Sequence, residues 1–221
     1  MGDVETIAVI DFETTGLGPT SGGRATEIAA VLVRGGEVVD AWASLMHSGA
    51  WVPPYIQALT GITNDMLAEA PASATVMREL ARFTAGCPLV AHNAAFDRGF
   101  WQAEMARAEV EPDPAHAFAC TVLLSRRLWP EARSHSLGEM TRFHGLRLSG
   151  RAHRAMADAR VTAELLLRVR AEVAQRFALD LGDAEVDHAL LAQLQRTPLR
   201  SLRRSLVEHL KTRHAASVSI A

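Results

Sequence analysis

A chain of 221 residues, 48% of them apolar and 22% charged, carries enough hydrophobic residue for one large folded domain, or a domain with a tail, and is not a disordered chain. Its formal charge of −2 gives no global attraction to polyanions, so nucleic-acid binding would need local basic patches. Lys211 is the only lysine, which removes chemistries that need a catalytic or phosphate-binding lysine, the P-loop among them. Cys87 and Cys120 lie 33 residues apart with no CxxC spacing, which argues against a disulfide framework or structural zinc and for reduced, buried thiols. The amino terminus lacks a basic, apolar leader and no apolar run reaches spanning length, so a soluble, cytoplasmic chain with no membrane partner is expected. Gly2 to Thr6 fits the loose myristoylation pattern, which is short enough to recur by chance.

In chain order, residues 6–11, 27–34 and 37–45 read as strands, the last two joined by the hairpin signal Gly35-Gly36. They lie too close together for crossover helices, so an antiparallel meander is predicted. Residues 53–85 read as helical, punctuated by Pro53-Pro54, Gly61 and Pro71, and the run from Pro88 to Ala91 reads as a short buried strand. Asn93 is the predicted N-cap of the following helix, with Phe96, Phe100 and Ala103 on its buried stripe and Asp97 in its first turn. A strand near 116–120 and a helix near 121–129 follow. Ser136-x-x-Glu139 is a capping box for a helix that Gly145 ends, and Ala155, Ala159, Leu166, Val169 and Val173 mark the last long helix. Strands first as a meander and then alternating with helices predict an α/β fold with a mixed sheet of about five strands. Beyond about residue 178, Thr197-Pro198 reads as an N-cap with proline at the first helical position, and Leu199, Leu202, Leu206 and Leu210 form a narrow stripe. Two short helices are expected there.

Asp11 and Glu13 are the most informative pair, because the apolar run Ile7–Ile10 ends in two carboxylates spaced i, i+2, on one face of a strand. Like charges so placed are costly without a cation between them, and hard oxygen ligands suit Mg²⁺ or Mn²⁺. Asp97 follows the run Leu89–Phe96, while His153 and Asp158 are spaced i, i+5, about 140° apart on one helix. His153 is therefore expected on the loop before the helix and Asp158 on the helix itself, both turned toward one point.

With these residues in place the chain resembles the DEDD 3′→5′ exonucleases of the histidine subclass, the family of the proofreading subunit of bacterial replicative polymerases. The resemblance covers roughly residues 6–175 and rests on three ordered motifs: Val9-Ile-Asp-Phe-Glu-Thr-Thr-Gly-Leu17, Val90-Ala-His-Asn-Ala-Ala-Phe-Asp97 and His153-x-x-x-x-Asp158. Leu59-Thr-Gly-Ile-Thr63 and the stretch from Arg127 through Leu137 are similar to family connecting segments. The resemblance implies an RNase H-like fold for an exonuclease domain at 1–177, with a helical extension at 178–221. It implies two divalent ions, Mg²⁺ or Mn²⁺, held by Asp11, Glu13, Asp97 and Asp158, with Asp11 bridging, and His153 as general base. It also implies that Thr14, Thr15 and Gly16 face the terminal 3′-hydroxyl, and that Leu17, Leu59, Thr60, His92 and Phe96 line the terminal base and sugar. The product would be a nucleoside 5′-monophosphate released from a single-stranded or frayed 3′ end. Cys120-Thr121 stands where many relatives carry Asp-Thr, at a position that is not a metal ligand.

Arg142, Arg147, Arg151, Arg154 and Arg160 crowd the segment around His153 and could guide a strand into an acidic site, or could be solvated surface. The glycine-rich run Gly18–Arg24 lacks the strand-to-helix setting of a phosphate cradle and reads as a mobile loop. His47, His116, His135, His144, His188, His209 and His214 lack carboxylate-rich spacing and read as ordinary surface or satisfied core residues. DNA proofreading or repair is the leading reading. RNA end-trimming is the alternative within the same chemistry, and a polymerase-associated scaffold of the same fold is the third. Residues 178–221 could serve association with a polymerase or with a second copy, and within them residues 196–213 form a basic amphipathic segment that could dock on a partner or on nucleic acid, or could pack back on the core.

Overall fold

A run of β-branched residues, Thr6, Ile7, Val9 and Ile10, starts the first strand, which extends through both carboxylates. The computed structural model describes residues 4–147 and 150–220, with side chains as far as Ala215. Gly2, and with it the myristoylation pattern, lies outside the described residues. The strands are Thr6–Thr14 (β1), Ala25–Arg34 (β2), Glu37–Leu45 (β3), Leu89–Ala91 (β4) and Phe118–Cys120 (β5). They form one mixed sheet in the order β3-β2-β1-β4-β5. The meander is antiparallel, β4 pairs with β1 and β5 with β4 in parallel, and Gly35 and Gly36 turn the hairpin at φ of 60° and 87°, values that favour glycine.

The helices are Pro54–Thr60 (α1), Asn64–Ala68 (α2), Ser73–Phe83 (α3), Ala94–Arg107 (α4), Thr121–Leu128 (α5), Leu137–His144 (α6), Ala155–Arg176 (α7), Ala178–Leu181 (α8), His188–Leu194 (α9) and Leu202–Ile220 (α10). Alternation along β1 divides the core in two. Ile7 and Val9 pack with α7 and its neighbours, whereas Ala8, Ile10 and Phe12 pack with α3 and α4. Asp11 and Glu13 continue the α7-facing row, so the helix that follows His153 lies against the same face of β1.

Several local expectations are corrected. Asn93 does precede α4, but at φ 67° its backbone is left-handed and its side chain makes no capping bond. Phe100 lies on the buried stripe of α4 as expected, with Ala94, Asp97, Trp101, Glu104 and Met105, whereas Phe96 and Ala103 are only partly covered. The stripe differs from an apolar template because two of its members are acids with partners inside the fold. Ser136 caps α6 by accepting from the Glu139 backbone N–H, yet the Glu139 carboxylate turns to Arg142 instead of completing the box. The glycine-rich loop closes as a short 3₁₀ turn at Pro19–Ser21, and its far end is pinned where Arg24 forms a bidentate pair with buried Glu104 at 2.7 and 3.0 Å.

The carboxy-terminal segment is also different in detail from two short helices, since α10 alone runs for 19 residues. Thr197 is not an N-cap, because its hydroxyl donates to the Gln193 carbonyl in the preceding turn. Leu202 and Leu206 are buried while Leu199 is half exposed, so the stripe is shorter than predicted. These helices join the core of the sheet: Leu181, Leu190, Leu194, Leu202 and Leu206 belong to the same apolar cluster as Ile7 and Val9. Buried Gln195 closes the sheet edge in the manner of a further strand, its amide oxygen accepting from the Cys120 N–H at 2.7 Å and its amide nitrogen donating to the Phe118 carbonyl at 3.0 Å. Cys87 and Cys120 are free and buried. No described helix is long and apolar enough to cross a membrane.

Candidate functional site

The site exists because β1 outruns its neighbour. Ala8 and Val9 pair with Leu89 and Val90, but β4 ends at Ala91, so the β1 backbone beyond that level has no partner on this side. The chain turns instead into α4, whose first turn brings Asp97 back to accept the Phe12 N–H at 3.1 Å. A buried carboxylate thus replaces a missing strand and is fixed beside Asp11. From the opposite side, α7 places Asp158 in its first turn, and His153 sits just ahead of the helix at φ 60°, a left-handed conformation uncommon for a residue with a side chain. The His153 N–H donates to Asp158 Oδ2 at 3.2 Å, which ties the loop to the helix. Glu13, His153 and Asp158 each offer a ligand atom within 4.8 Å of the others.

Burial and mutual repulsion set the electrostatics. The Asp11 carboxyl is pushed well above the ordinary range, first by burial and then by Asp97, Asp158, Glu13 and Glu27. Glu13 is raised to about 8 by burial, then by Asp158 and Glu27, with Arg154 opposing. Asp97 is raised to about 7 by burial, offset in part by the Phe12 N–H. Asp158 is raised by burial, with the His153 N–H and ring opposing. Four carboxyl groups that cannot all ionise by themselves, with an imidazole at their rim, are a donor set that a divalent cation fits.

Glu27 is a site residue that sequence reasoning did not single out. It stands opposite Glu13 across the β1–β2 ladder, is buried, and receives Arg154 at 2.6 and 3.0 Å together with the first backbone N–H of α7, from Ala155, at 3.0 Å. An acid within an otherwise apolar strand was the available signal. Arg151 donates to the carbonyls of Ala58 and Leu59, and the space above Gly61 is filled by its guanidinium, so the His153 loop is stapled to the end of α1. Of the five clustered arginines, Arg142, Arg151 and Arg154 are therefore engaged within the protein.

The other sequence-predicted residues are distributed unevenly. Thr14 donates to the Gly16 carbonyl at 2.8 Å and Thr15 accepts from the Arg24 N–H at 3.0 Å, so both hydroxyls shape the turn that follows β1. Leu17 is 94% exposed at its tip, and Leu59 is exposed on α1. Thr60 is buried, its hydroxyl donating to the Ile56 carbonyl and accepting from the Ile62 N–H, so this side chain serves the fold. The His92 Nδ1 lies 2.9 Å from the Thr121 hydroxyl, and burial lowers its pKa to about 4, which keeps the ring neutral. Phe96 packs on Phe100 at a ring separation of 5.0 Å. His188, as expected of a satisfied core histidine, is buried against the Leu89 carbonyl at 2.9 Å.

Comparison with known proteins bears on this arrangement. Residues 8–166 match the sequence model of the RNase_T family, described as exonuclease. The DNA polymerase III subunit epsilon-like protein of Rhodobacter capsulatus is 40% identical over 174 residues, covering 76% of this chain and 24% of that protein. The 3′-5′ exonuclease DinG of Staphylococcus saprophyticus is 33% identical over 160 residues, covering 72% of this chain and 17% of that one. Among solved structures, Exonuclease X in complex with 5′ overhanging duplex DNA superposes with a TM-score of 0.60 at 30% identity, covering 75% of this chain and 91% of that chain. The chain spans only 11–26% of the length of the curated relatives it matches. A family match over most of the chain, a relative spanned almost end to end and an RNase H-like mixed sheet agree that this chain belongs to the exonuclease family.

Proposed function

We propose that the chain is a metal-dependent 3′→5′ exonuclease that hydrolyses the terminal phosphodiester of a nucleic-acid strand and releases a nucleoside 5′-monophosphate. The observation that carries this reading is the convergence of carboxylates from β1, α4 and α7 whose ionisation is mutually opposed, with exposed His153 beside them. Asp11, Glu13 and Asp158 would hold one divalent ion, and Asp11 with Asp97 a second, Mg²⁺ or Mn²⁺ being the hard cations that carboxylate oxygens suit. When bound, such a pair supplies the positive charge that stabilises the attacking and leaving oxygens. His153 takes the proton from the attacking water, and its place on a loop open to solvent allows that proton to leave. The Thr14–Gly16 turn borders the terminal sugar, and Leu17, Leu59, His92 and Phe96 supply apolar surface for the base, with Thr60 holding the backbone beneath them. Within this reading residues 1–177 form the catalytic unit and 178–221 a helical extension.

DNA is the favoured substrate, supported by the polymerase-type relatives and by the DNA bound in the complex of Exonuclease X. Attachment to a polymerase is the partner relation the same relatives favour. The test is hydrolysis of matched, labelled DNA and RNA single strands with Mg²⁺, with Mn²⁺ and in excess chelator. Stepwise shortening from the 3′ end of DNA, abolished by chelation and restored by either ion, is expected. Undiminished hydrolysis in chelator would overturn the metal-dependent reading, and faster trimming of RNA would reassign the substrate.

A further inference from the structure

Five arginines that the fold leaves exposed line a pair of adjoining clefts beside the carboxylate site. The first cleft, about 230 Å³, lies between the starts of α4 and α5 and the turn after α9, with Asn93, Arg98, Arg126 and Arg196 in its wall and no acidic residue. The second, about 900 Å³, carries Arg196 onward to Arg200 and Arg204, with Glu208 as the one acid in its wall. Arg98 and Arg196 also border a third cleft whose wall includes Glu109, Glu111 and Asp113, while Arg196 lines both of the first two, which adjoin at its side chain as one path. Its upper end is Asn93, next to His92 and directly before the helix turn that carries Asp97. Arg98 follows Asp97 in sequence, and the two point about 100° apart around α4, one into the site and one into the cleft.

These arginines differ from their neighbours in what they touch. Arg203 is held by Asp180 through contacts of 2.8–3.1 Å, Arg213 lies 2.9 Å from Asp187, and Arg127 donates to the Thr197 carbonyl at 2.7 Å. The guanidinium groups of Arg98, Arg126, Arg196 and Arg200 have no hydrogen bond or ion pair among the described residues, and that of Arg204 has only an open contact of 3.8 Å with Glu208. Residues 196, 200 and 204 recur at intervals of four, and between Arg200 and Arg204 that interval is about 6 Å along a helix, one to two phosphates of a stacked strand at about 3.4 Å each. Unneutralised guanidinium groups in a row, in a chain of net charge −2, are complementary to a polyanion of regular spacing.

We propose that this path binds the sugar-phosphate backbone of the substrate strand upstream of the nucleotide being removed, so that the carboxy-terminal helices form part of the substrate-binding surface. The proposal rests on the exonuclease reading and extends it to a substrate several nucleotides long. Arg126, Arg196 and Arg200, all exposed and outside the catalytic set, are replaced together by alanine, and in a second protein by lysine, within the full chain. Binding of a fluorescently labelled oligothymidylate of about 20 nucleotides is followed by anisotropy in chelator across salt concentrations, and hydrolysis of the p-nitrophenyl ester of thymidine 5′-monophosphate is followed with Mn²⁺.

Each phosphate contact contributes about −0.7 to the slope of log affinity against log salt for a single strand. The alanine protein is therefore expected to show a slope shallower by about 2.1, so that its affinity falls about 18-fold less than that of wild type between 50 and 200 mM salt. Lysine should restore most of the slope, and ester hydrolysis should be unchanged, because a mononucleotide does not reach the path. An unchanged slope in the alanine protein overturns the proposal, as does a lysine protein as weak as the alanine one, or tight salt-dependent binding of an acidic polypeptide in place of the oligomer. Wild type that hydrolyses neither ester nor oligomer would instead refute the exonuclease reading, and the anisotropy titrations would still judge the path.

Discussion

Glu13→Gln should make the metal-free protein more stable at alkaline pH while removing its response to metal. In the folded chain the Glu13 carboxyl is raised to about 8 from 4.5 by burial and by Asp158 and Glu27. A raised folded pKa means that the folded state binds the proton more tightly than the unfolded chain. The stabilisation is thus complete below about pH 4.5 and is lost as pH rises through about 8. The shift corresponds to about 5 kcal/mol as a ceiling, because Asp11 and Asp158 share the same repulsion and the pair energies are counted once. Glutamine keeps the shape and discards the charge, so a gain of about 1–3 kcal/mol at pH 8, or roughly 2–12 °C in Tm, is expected in excess chelator. The assay is thermal unfolding of wild type and variant from pH 5 to 9, with chelator and with saturating Mg²⁺. Wild type in chelator should lose stability across this range and regain it with Mg²⁺, whereas the variant should be flatter and respond weakly. A variant less stable than wild type in chelator at pH 8, or a wild-type profile that rises from pH 5 to 8, would refute the account of the site as a cluster of opposed charges.

Two further outcomes follow from the same geometry. His153→Ala should lower turnover by about 10²–10⁴-fold, the range for a positioned general base, and leave metal-induced stabilisation largely intact; single-turnover rates and Mg²⁺-dependent Tm shifts measure the two effects separately, and equal rates would leave the histidine without a role. Gln195→Ala should destabilise the fold by about 1–3 kcal/mol in urea unfolding, because a buried N–H and a partly buried carbonyl of β5 lose their partner, and unchanged stability would show that water enters the edge.

Much of this arrangement was legible because it depends on local periodicity. The i, i+2 carboxylates on a strand, the two glycines of the hairpin and the placement of His153 ahead of the helix with Asp158 inside it each follow from a few adjacent residues. What was not legible depends on contacts far apart in the chain. Glu27 and Arg154 are separated by 127 positions, and Gln195 meets β5 across 75, so neither partner carries a mark of its role. The same holds for α4, where Asp97 and Glu104 occupy the buried stripe because Phe12 and Arg24 satisfy them, and an apolar template rejects both. The arginines around His153 showed the limit most plainly. Charge alone could not separate Arg154, held by Glu27, from Arg160, for which no partner is found among the described residues.

The sorting of arginines also explains how an exposed loop can present the proposed base, His153, accurately. His153 has a left-handed backbone and no buried side chain to anchor it, so its position must come from its neighbours. Arg151 ties the loop before it to the α1 carbonyls, and Arg154 ties the residue after it to Glu27, which in turn also holds the Ala155 N–H at the start of α7. The His153 N–H itself is occupied by Asp158. Three restraints on four successive residues leave the imidazole to rotate about its own side-chain bonds while its backbone stays fixed. Glu27 stands opposite Glu13 on the sheet, so the restraint on the His153 loop and the carboxylate row share one strand pair. A shift of β2 against β1 would move His153, the proposed proton acceptor, and the carboxylate oxygens proposed to bind metal together, which preserves their spacing better than anchoring the loop to a separate element would.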